Sequence, residues 1–266
     1  MSERTSYIPG TPCWVDLVTP DIEAAEKFYG ALFGWEIPEL PNSAEMGGYR
    51  RAKKDGKDVA GVYPLMEEGQ HPAWATYVSV SDAAATATLI KESGGSTLVE
   101  PMDIGMGHMA VFADPSGAVF GLWQPVTFAG AELVNEPGAF SWSELNTRDV
   151  EGAKAFYGDV FGWGLETEDL GEGRGSYTTI MLGGGPVGGV LDMNERGVPE
   201  GIPAHWQVYF VVEDIDATVE QVKAGGGGVM VEPFDVPVGR IAILTDPHGA
   251  SFAAIALSEE ARAKAP

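Results

Sequence analysis

The sequence predicts an α+β fold of two tandem domains, each made of two β-α-β-β-β modules, and three observations carry this. Residues 14–35 (WVDLVTPDIEAAEKFYGALFGW) return as residues 142–163 (WSELNTRDVEGAKAFYGDVFGW) at a shift of 128, with 12 of 22 positions identical. Further on the shift becomes 132: Trp74 matches Trp206, Asp82 matches Asp214, and Asp114-Pro-Ser-Gly117 matches Asp246-Pro-His-Gly249. A weaker repeat lies inside each half. Trp14 stands seven residues before Asp21 and Trp74 eight before Asp82, and Trp142–Asp149 and Trp206–Asp214 repeat the pattern. Such periodicity marks duplicated units. The domains are expected at 8–128 and 138–257, joined where Gly130, Asn135, Pro137 and Gly138 cluster.

Each module begins with a short apolar strand, in the first case Trp14 to Val18, followed by an aspartate placed to cap a helix. Ile22, Ala25, Tyr29, Leu32 and Phe33 recur at helical spacing, and Gly34 suits a left-handed helix stop. The second helix is expected near 83–92, ending at Gly94-Gly95, and the fourth near 216–224, ending at Gly225-Gly226. Three strands follow each helix, as in Met109–Ala113, the Asp114-Pro-Ser-Gly117 turn, and Val119–Trp123. The basic cluster Arg50, Arg51, Lys53, Lys54 runs into Asp55-Gly56, a hairpin signal, and is expected to be a solvated turn.

Composition narrows the function classes. A chain of 266 residues with 44% hydrophobic residues can build its core without staples. Its net charge of −23 repels phosphate backbones and anionic lipid, so neither nucleic acid nor a membrane surface is an expected partner. The single cysteine, Cys13, fits a reducing cytoplasm and sits in an apolar strand, which disfavours a reactive thiol. The N-terminus shows no signal-peptide core, and no run of 18 apolar residues spans a membrane.

The elements D-(x)6-F-Y-G-x-x-F-G-W (Asp21 to Trp35, Asp149 to Trp163) and the late D-P-x-G turn make the chain resemble the vicinal-oxygen-chelate superfamily, which includes glyoxalase I, bleomycin-resistance proteins and extradiol dioxygenases. The resemblance runs from about residue 10 to 257, and is greatest to tandem actinobacterial proteins described as glyoxalase-like or hydroxylase-like. It implies that two modules pair into one cupped, eight-stranded mixed sheet, that the chain carries two cups like a fused dimer, and that the protein is a monomer. It also implies where a divalent metal would be held. Those positions fall on Trp14 and Trp142, near Ala75 and Gln207, on Gly121 and Ala253, and within Ala60–Tyr63 and Gly188–Leu191. Only Gln207 among them is even a weak ligand, so no metal or other cofactor is expected. The four histidines (His71, His108, His205, His248) show no metal-ligand spacing, and the stretch Gly183-Gly-Gly185…Gly188-Gly189 lacks the Lys-Ser/Thr of a phosphate loop.

Strand alternation nominates the cup lining. The first cup is expected to hold Trp14, Asp16, Tyr77, His108 and Trp123, and the second Trp142, Glu144, Gln207, Tyr209 and Arg240. Asp16 and Glu144 are the candidate catalytic carboxylates, able to act as general bases if burial raises their pKa, or else to tie down the strand edge. The tryptophans either stack on a ligand or pack between modules. The leading functional expectation is metal-independent binding of a small aromatic or antibiotic-like molecule in an aromatic-lined cup. The alternatives are a glyoxalase- or hydroxylase-type enzyme acting on a small carbonyl or polyketide-like substrate, and a non-catalytic interaction protein.

Overall fold

The computed structural model describes residues 3–39, 43, 46–67, 69–171 and 175–264. In the first half the elements are β1 (Pro12–Thr19), α1 (Ile22–Phe33), β2 (Arg50–Lys54), β3 (Lys57–Pro64), β4 (Ala73–Ser79), α2 (Ala83–Glu92), β5 (Ser96–Asp103), β6 (Gly107–Ala113) and β7 (Val119–Pro125). The second half repeats them as β8 (Phe140–Thr147), α3 (Val150–Phe161), β9 (Gly164–Asp169), β10 (Ser176–Leu182), β11 (Gly185–Asp192), β12 (His205–Val211), α4 (Ile215–Ala224), β13 (Gly228–Val236), β14 (Gly239–Thr245) and β15 (Ser251–Leu257), and adds α5 (Glu259–Lys264).

Local chemistry sets the helix ends as the sequence indicates. The Asp21 carboxylate accepts from the Ala24 amide at 2.9 Å, and Gly34 closes α1 at φ 73°. Asp149 caps α3 on the Gly152 amide, and Gly162 closes it at φ 69°. Asp55 and Gly56 both take positive φ, 51° and 77°, the geometry of a tight hairpin turn. The cluster beside that turn is not merely solvated, which corrects the expectation. Arg51 and Lys53 both engage the buried carboxylate of Asp58, and Arg50 reaches Glu23. A carboxylate as buried as Asp58 needs such partners.

The two sheets share one topology. The first runs β2-β3-β1-β4-β7-β6-β5 and the second β13-β14-β15-β12-β8-β11-β10-β9, each mixed, with the antiparallel pair β1–β4 or β8–β12 at the centre. Among the described residues the first sheet has seven strands rather than the expected eight. Among those residues its counterpart of β9 is one bridge, Glu36 with Lys53, followed by Pro38, which has no N–H to donate to a ladder. Among the described residues no helix is long and apolar enough to cross a membrane.

Helices cover one face of each sheet, and there the halves lock together reciprocally. The Tyr29 hydroxyl donates to Asp246 of the second half at 3.2 Å while accepting from Trp74 Nε1 at 3.1 Å. Tyr157 donates to Asp114 of the first half at 3.0 Å and accepts from Trp206 Nε1 at 3.0 Å. Trp35 Nε1 reaches the Gly138 carbonyl and Trp163 Nε1 the Gly10 carbonyl, each at 2.7 Å. The repeated F-Y-G-x-x-F-G-W and D-P-x-G elements are therefore the two sides of an inter-half latch. One continuous core joins α1 and β1 to β12, β14, β15 and α4. A second joins α2 and β6 to α3 and β8. Expressed alone, residues 1–132 and 133–266 should each expose half of both cores, so neither should appear as a folded monomer in size-exclusion chromatography and circular dichroism.

Candidate carboxylate cups on the helix-free faces

The helix-free face of each sheet is the expected cup. Two adjacent rows of residues cross the centre of the first one. One row is Gly61, Asp16 and Ala75; the other is Trp14, Tyr77 and Gly121. Asp16 is only 6% exposed. Its Oδ1 accepts from Trp14 Nε1 at 2.7 Å and from the Tyr49 hydroxyl at 3.0 Å, and Tyr77 is a further donor. Burial pushes its pKa up from 3.8 to about 6, although the bonds from Tyr49, Trp14 and Tyr77 pull the other way. Desolvation, with Asp16 adding its charge, raises the phenols of Tyr49, Tyr63 and Tyr77, so they remain donors.

The second cup repeats the arrangement with a longer carboxylate. Gly189, Glu144 and Gln207 form one row, and Trp142, Tyr209 and Ala253 the other. Tyr209 donates to Glu144 Oε1 at 2.8 Å, Tyr177 is a second donor to the carboxylate, and Trp142 Nε1 donates to the Tyr177 hydroxyl at 3.0 Å. Burial raises the pKa of Glu144 as well, against the bonds from Tyr209 and Tyr177. Gln207 is buried, and its Oε1 takes a bond from Ser251 at 3.1 Å.

Glycine makes room for these clusters. A Cβ on Gly61 would lie 1.8 Å from Asp16 Oδ1, and one on Gly189 would lie 1.9 Å from the Tyr177 hydroxyl. Neither backbone has positive φ, so the constraint is purely one of space. Gly189→Ala should therefore displace Tyr177 from Glu144 and destabilise by about 1–3 kcal/mol, measurable as a lower midpoint in urea. An unchanged midpoint and an unchanged tyrosine environment would show that the cup can absorb a methyl group.

Eight of the ten nominated residues face the cups together: Trp14, Asp16, Tyr77 and Trp123 in the first, and Trp142, Glu144, Gln207 and Tyr209 in the second. His108 and Arg240 do not, which corrects their placement. On β6, His108 alternates with Ala110 and Phe112, which pack against α2. On β14, Arg240 alternates with Ala242 and Leu244 on the side of α4. Arg240 Nη1 pairs with Asp216 on α4 at 2.6 Å. Both lie one residue out of phase with the cup. Tyr49 and Tyr177 escaped the sequence reading, yet they stand at the same shift of 128 as the tryptophans that they bond.

The cups differ in filling. Phe128, from the connection after β7, sets its ring edge-on to Trp14 at 4.9 Å and to Trp123 at 5.9 Å. Trp123 Nε1 donates to its carbonyl at 2.8 Å, and the Arg51 guanidinium lies over its ring at 5.2 Å. Trp14 and Trp123 are thus almost fully buried. In the second cup Trp142 and Tyr177 are half-buried, Ile255 replaces Trp123, and Val231 and Phe234 of β13 extend the wall as exposed apolar side chains. A cleft of about 290 Å³ lies elsewhere, between the end of α1 and the start of α4, lined by Phe33, Lys54, Gly138, Asp214 and Thr218. It lacks the buried carboxylate and ring cluster that would give it chemistry, so the cups are the better candidates. Cys13 is inert by placement: burial pushes its thiol pKa well up, and Sγ faces the Tyr77 carbonyl.

The sequence profile described as Glyoxalase/Bleomycin resistance protein/Dioxygenase superfamily matches residues 13–122 and 139–253. The chain belongs to this superfamily. A protein of Mycobacterium tuberculosis with a provisional glyoxylase name, CFP32, is 42% identical over 260 residues, covering 96% of this chain and 98% of its own. The anthracycline biosynthesis protein DnrV of Streptomyces peucetius is 38% identical over 270 residues, covering 96% of each chain. Among solved structures, the Mn(II)-bound glyoxalase from Novosphingobium aromaticivorans aligns at TM-score 0.63 with 16% identity, over 94% of this chain and 83% of that one. The 2,3-dioxygenase LapB from Pseudomonas sp. KL28 aligns at 0.60 with 15% identity, over 94% and 93%. At such identities the shared property is the fold.

The residues of this superfamily member do not fit the metal that the fold family implies. Around each carboxylate the neighbouring cup positions carry glycine, alanine, tryptophan, tyrosine or glutamine. Among the described residues no three His, Cys, Asp or Glu side chains gather as a metal-binding group. One carboxylate engaged by phenol or indole donors, with no second ligand side chain beside it, is a poor site for a divalent ion.

Proposed function

We propose that this superfamily member binds a planar aromatic small molecule in its second cup without a metal. The observation that carries this is the pairing of a buried, hydrogen-bonded Glu144 with a half-exposed Trp142 and an exposed apolar wall. Rings supply area, and a few convergent polar groups supply orientation. The likeness to an anthracycline biosynthesis protein supports a polycyclic, polyketide-like ligand. The first cup, closed by Phe128, then has a structural role. One chain carries both sides of the latch and its only thiol is buried, which supports a monomer in the reducing cytoplasm. Titrating the protein with an anthraquinone should quench tryptophan fluorescence saturably, with or without EDTA. Trp142→Leu should remove most of that quenching. Quenching abolished by EDTA, or equal in the variant, would sink this reading.

The raised pKa of both carboxylates favours one second reading, an enzyme of glyoxalase or hydroxylase type. Glu144 or Asp16 would there take a proton from a substrate carbon or hydroxyl. Turnover of a candidate substrate that disappears in Glu144→Gln while binding persists would select it. Neither binding nor turnover would leave a non-catalytic interaction protein.

A further inference from the structure

The shift between the halves changes from 128 to 132 because the loop 193–204, between β11 and β12, is four residues longer than the loop 65–72 between β3 and β4. The longer loop is held from three directions. Arg148 donates to the carbonyls of Ile202 at 2.7 Å, Pro199 at 2.7 Å and Val198 at 3.1 Å. Asn194 Nδ2 donates back to the Arg148 carbonyl at 3.0 Å. Glu195 Oε2 accepts from the Ser176 amide at 2.6 Å and the Ser176 hydroxyl at 2.8 Å. Ser176 immediately precedes Tyr177, so the loop is fastened beside the cup's own donor. In the first half Pro20 stands where Arg148 stands, and proline offers no side-chain donor.

Between these anchors lies Arg196. It is exposed and forms no ion pair with a described residue. Its charge nevertheless reaches the three titratable groups of the second cup, Glu144, Tyr177 and Tyr209. A long side chain with a fixed charge, carried by a loop that is built for that half alone and tied to the residue before Tyr177, is the arrangement expected of a recognition residue. A chain of net charge −23 repels anions in general, so an anionic ligand needs such a local cation. Guanidinium also matches planar oxygen anions better than ammonium does.

We propose that Arg196 is the anion-recognising residue of the second cup, and that the ligand is an aromatic ring bearing an anionic oxygen group, carboxylate or phenolate. This rests on the reading of that cup as an aromatic-binding site. The ring lies against Trp142 and the β13 wall, the anion meets Arg196, and Arg148 is a positioning residue that fixes the loop.

The test uses the full chain and two matched pairs of probes: naphthoate with naphthamide, and nitrophenolate with nitroanisole at a pH that ionises the phenol. The wild-type protein should prefer the anion of at least one pair by about tenfold in Kd, and which pair shows it names the group. Arg196→Gln should erase that preference while leaving the neutral probe's affinity unchanged, and Arg148→Ala should do the same by loosening the loop. Equal affinities in the wild type, or a preference that survives Arg196→Gln, would overturn the assignment of Arg196 and leave the aromatic cup standing. If no member of either pair binds, the cup itself is refuted and the anion assignment falls with it.

Discussion

Replacing Trp35 with alanine lowers the stability of the whole chain by about 3–5 kcal/mol, the range for deleting a buried indole. Trp35 is 3% exposed and stacks on Tyr29 at 5.4 Å within its own half. It meets Phe210 of the other half at 5.4 Å and donates to the Gly138 carbonyl. For a chain of this length the loss corresponds to a fall in Tm of roughly 10 °C. Trp35→Phe keeps the ring area and loses the N–H, so its cost should be nearer 1–2 kcal/mol. Trp163→Ala should behave alike, because Trp163 closes the mirror-image latch. The double variant removes both latches, which is comparable to the whole stability of a typical domain. It should not fold cooperatively. A loss under 1 kcal/mol in Trp35→Ala would mean that the halves are held by other contacts.

Asp16→Asn should stabilise the protein at neutral pH by about 3 kcal/mol and leave it nearly unchanged near pH 4. The folded-state pKa is raised, from 3.8 to about 6. Between those values the folded chain binds more protons than the unfolded one, so the Asp16 contribution to stability falls as pH rises through this window. Below about 4 both states are protonated and the penalty is absent; above about 6 it is complete, at about 1.4 kcal/mol per pKa unit. Asparagine has no charge to desolvate and still offers Oδ1 to Trp14 and Tyr49. Denaturant midpoints of both proteins across this pH range test the claim, since other titrating groups cancel in the difference. A constant gap would show that Asp16 is not ionised at a cost. If Asp16 is instead retained as a base, the same variant should lose activity while gaining stability.

Much of this was legible in the chain because duplication writes the architecture twice. Asp21 and Asp149 cap helices in both copies, and Gly34 and Gly162 end them, through bonds within a few residues. The cup residues on the central strands were also accessible, since Trp14, Asp16, Trp142 and Glu144 follow strict alternation on strands whose start is marked. Alternation misleads at His108 and Arg240: the two match each other in direction, but both point to the helix side, since Met109 and Ile241 are the cup-facing residues of β6 and β14. The roles of the two most repeated elements were hidden altogether. Tyr29 finds Asp246 across 217 residues. Nothing in local spacing tells a tyrosine that serves a latch from one that serves a cup, as Tyr49 does.

The sequence by itself determined the two-fold repeat, the helix ends, the carboxylate in each cup and the absence of the family's usual ligands at the matched positions. Those are properties of short segments and of their periodicity. Only the tertiary structure decided which motif faces the partner half, that Phe128 fills the first cup, and that Arg148 and Glu195 fasten the 193–204 loop beside the second. Each of these depends on groups far apart in the chain meeting in space, and long-range packing leaves no periodic trace in a sequence.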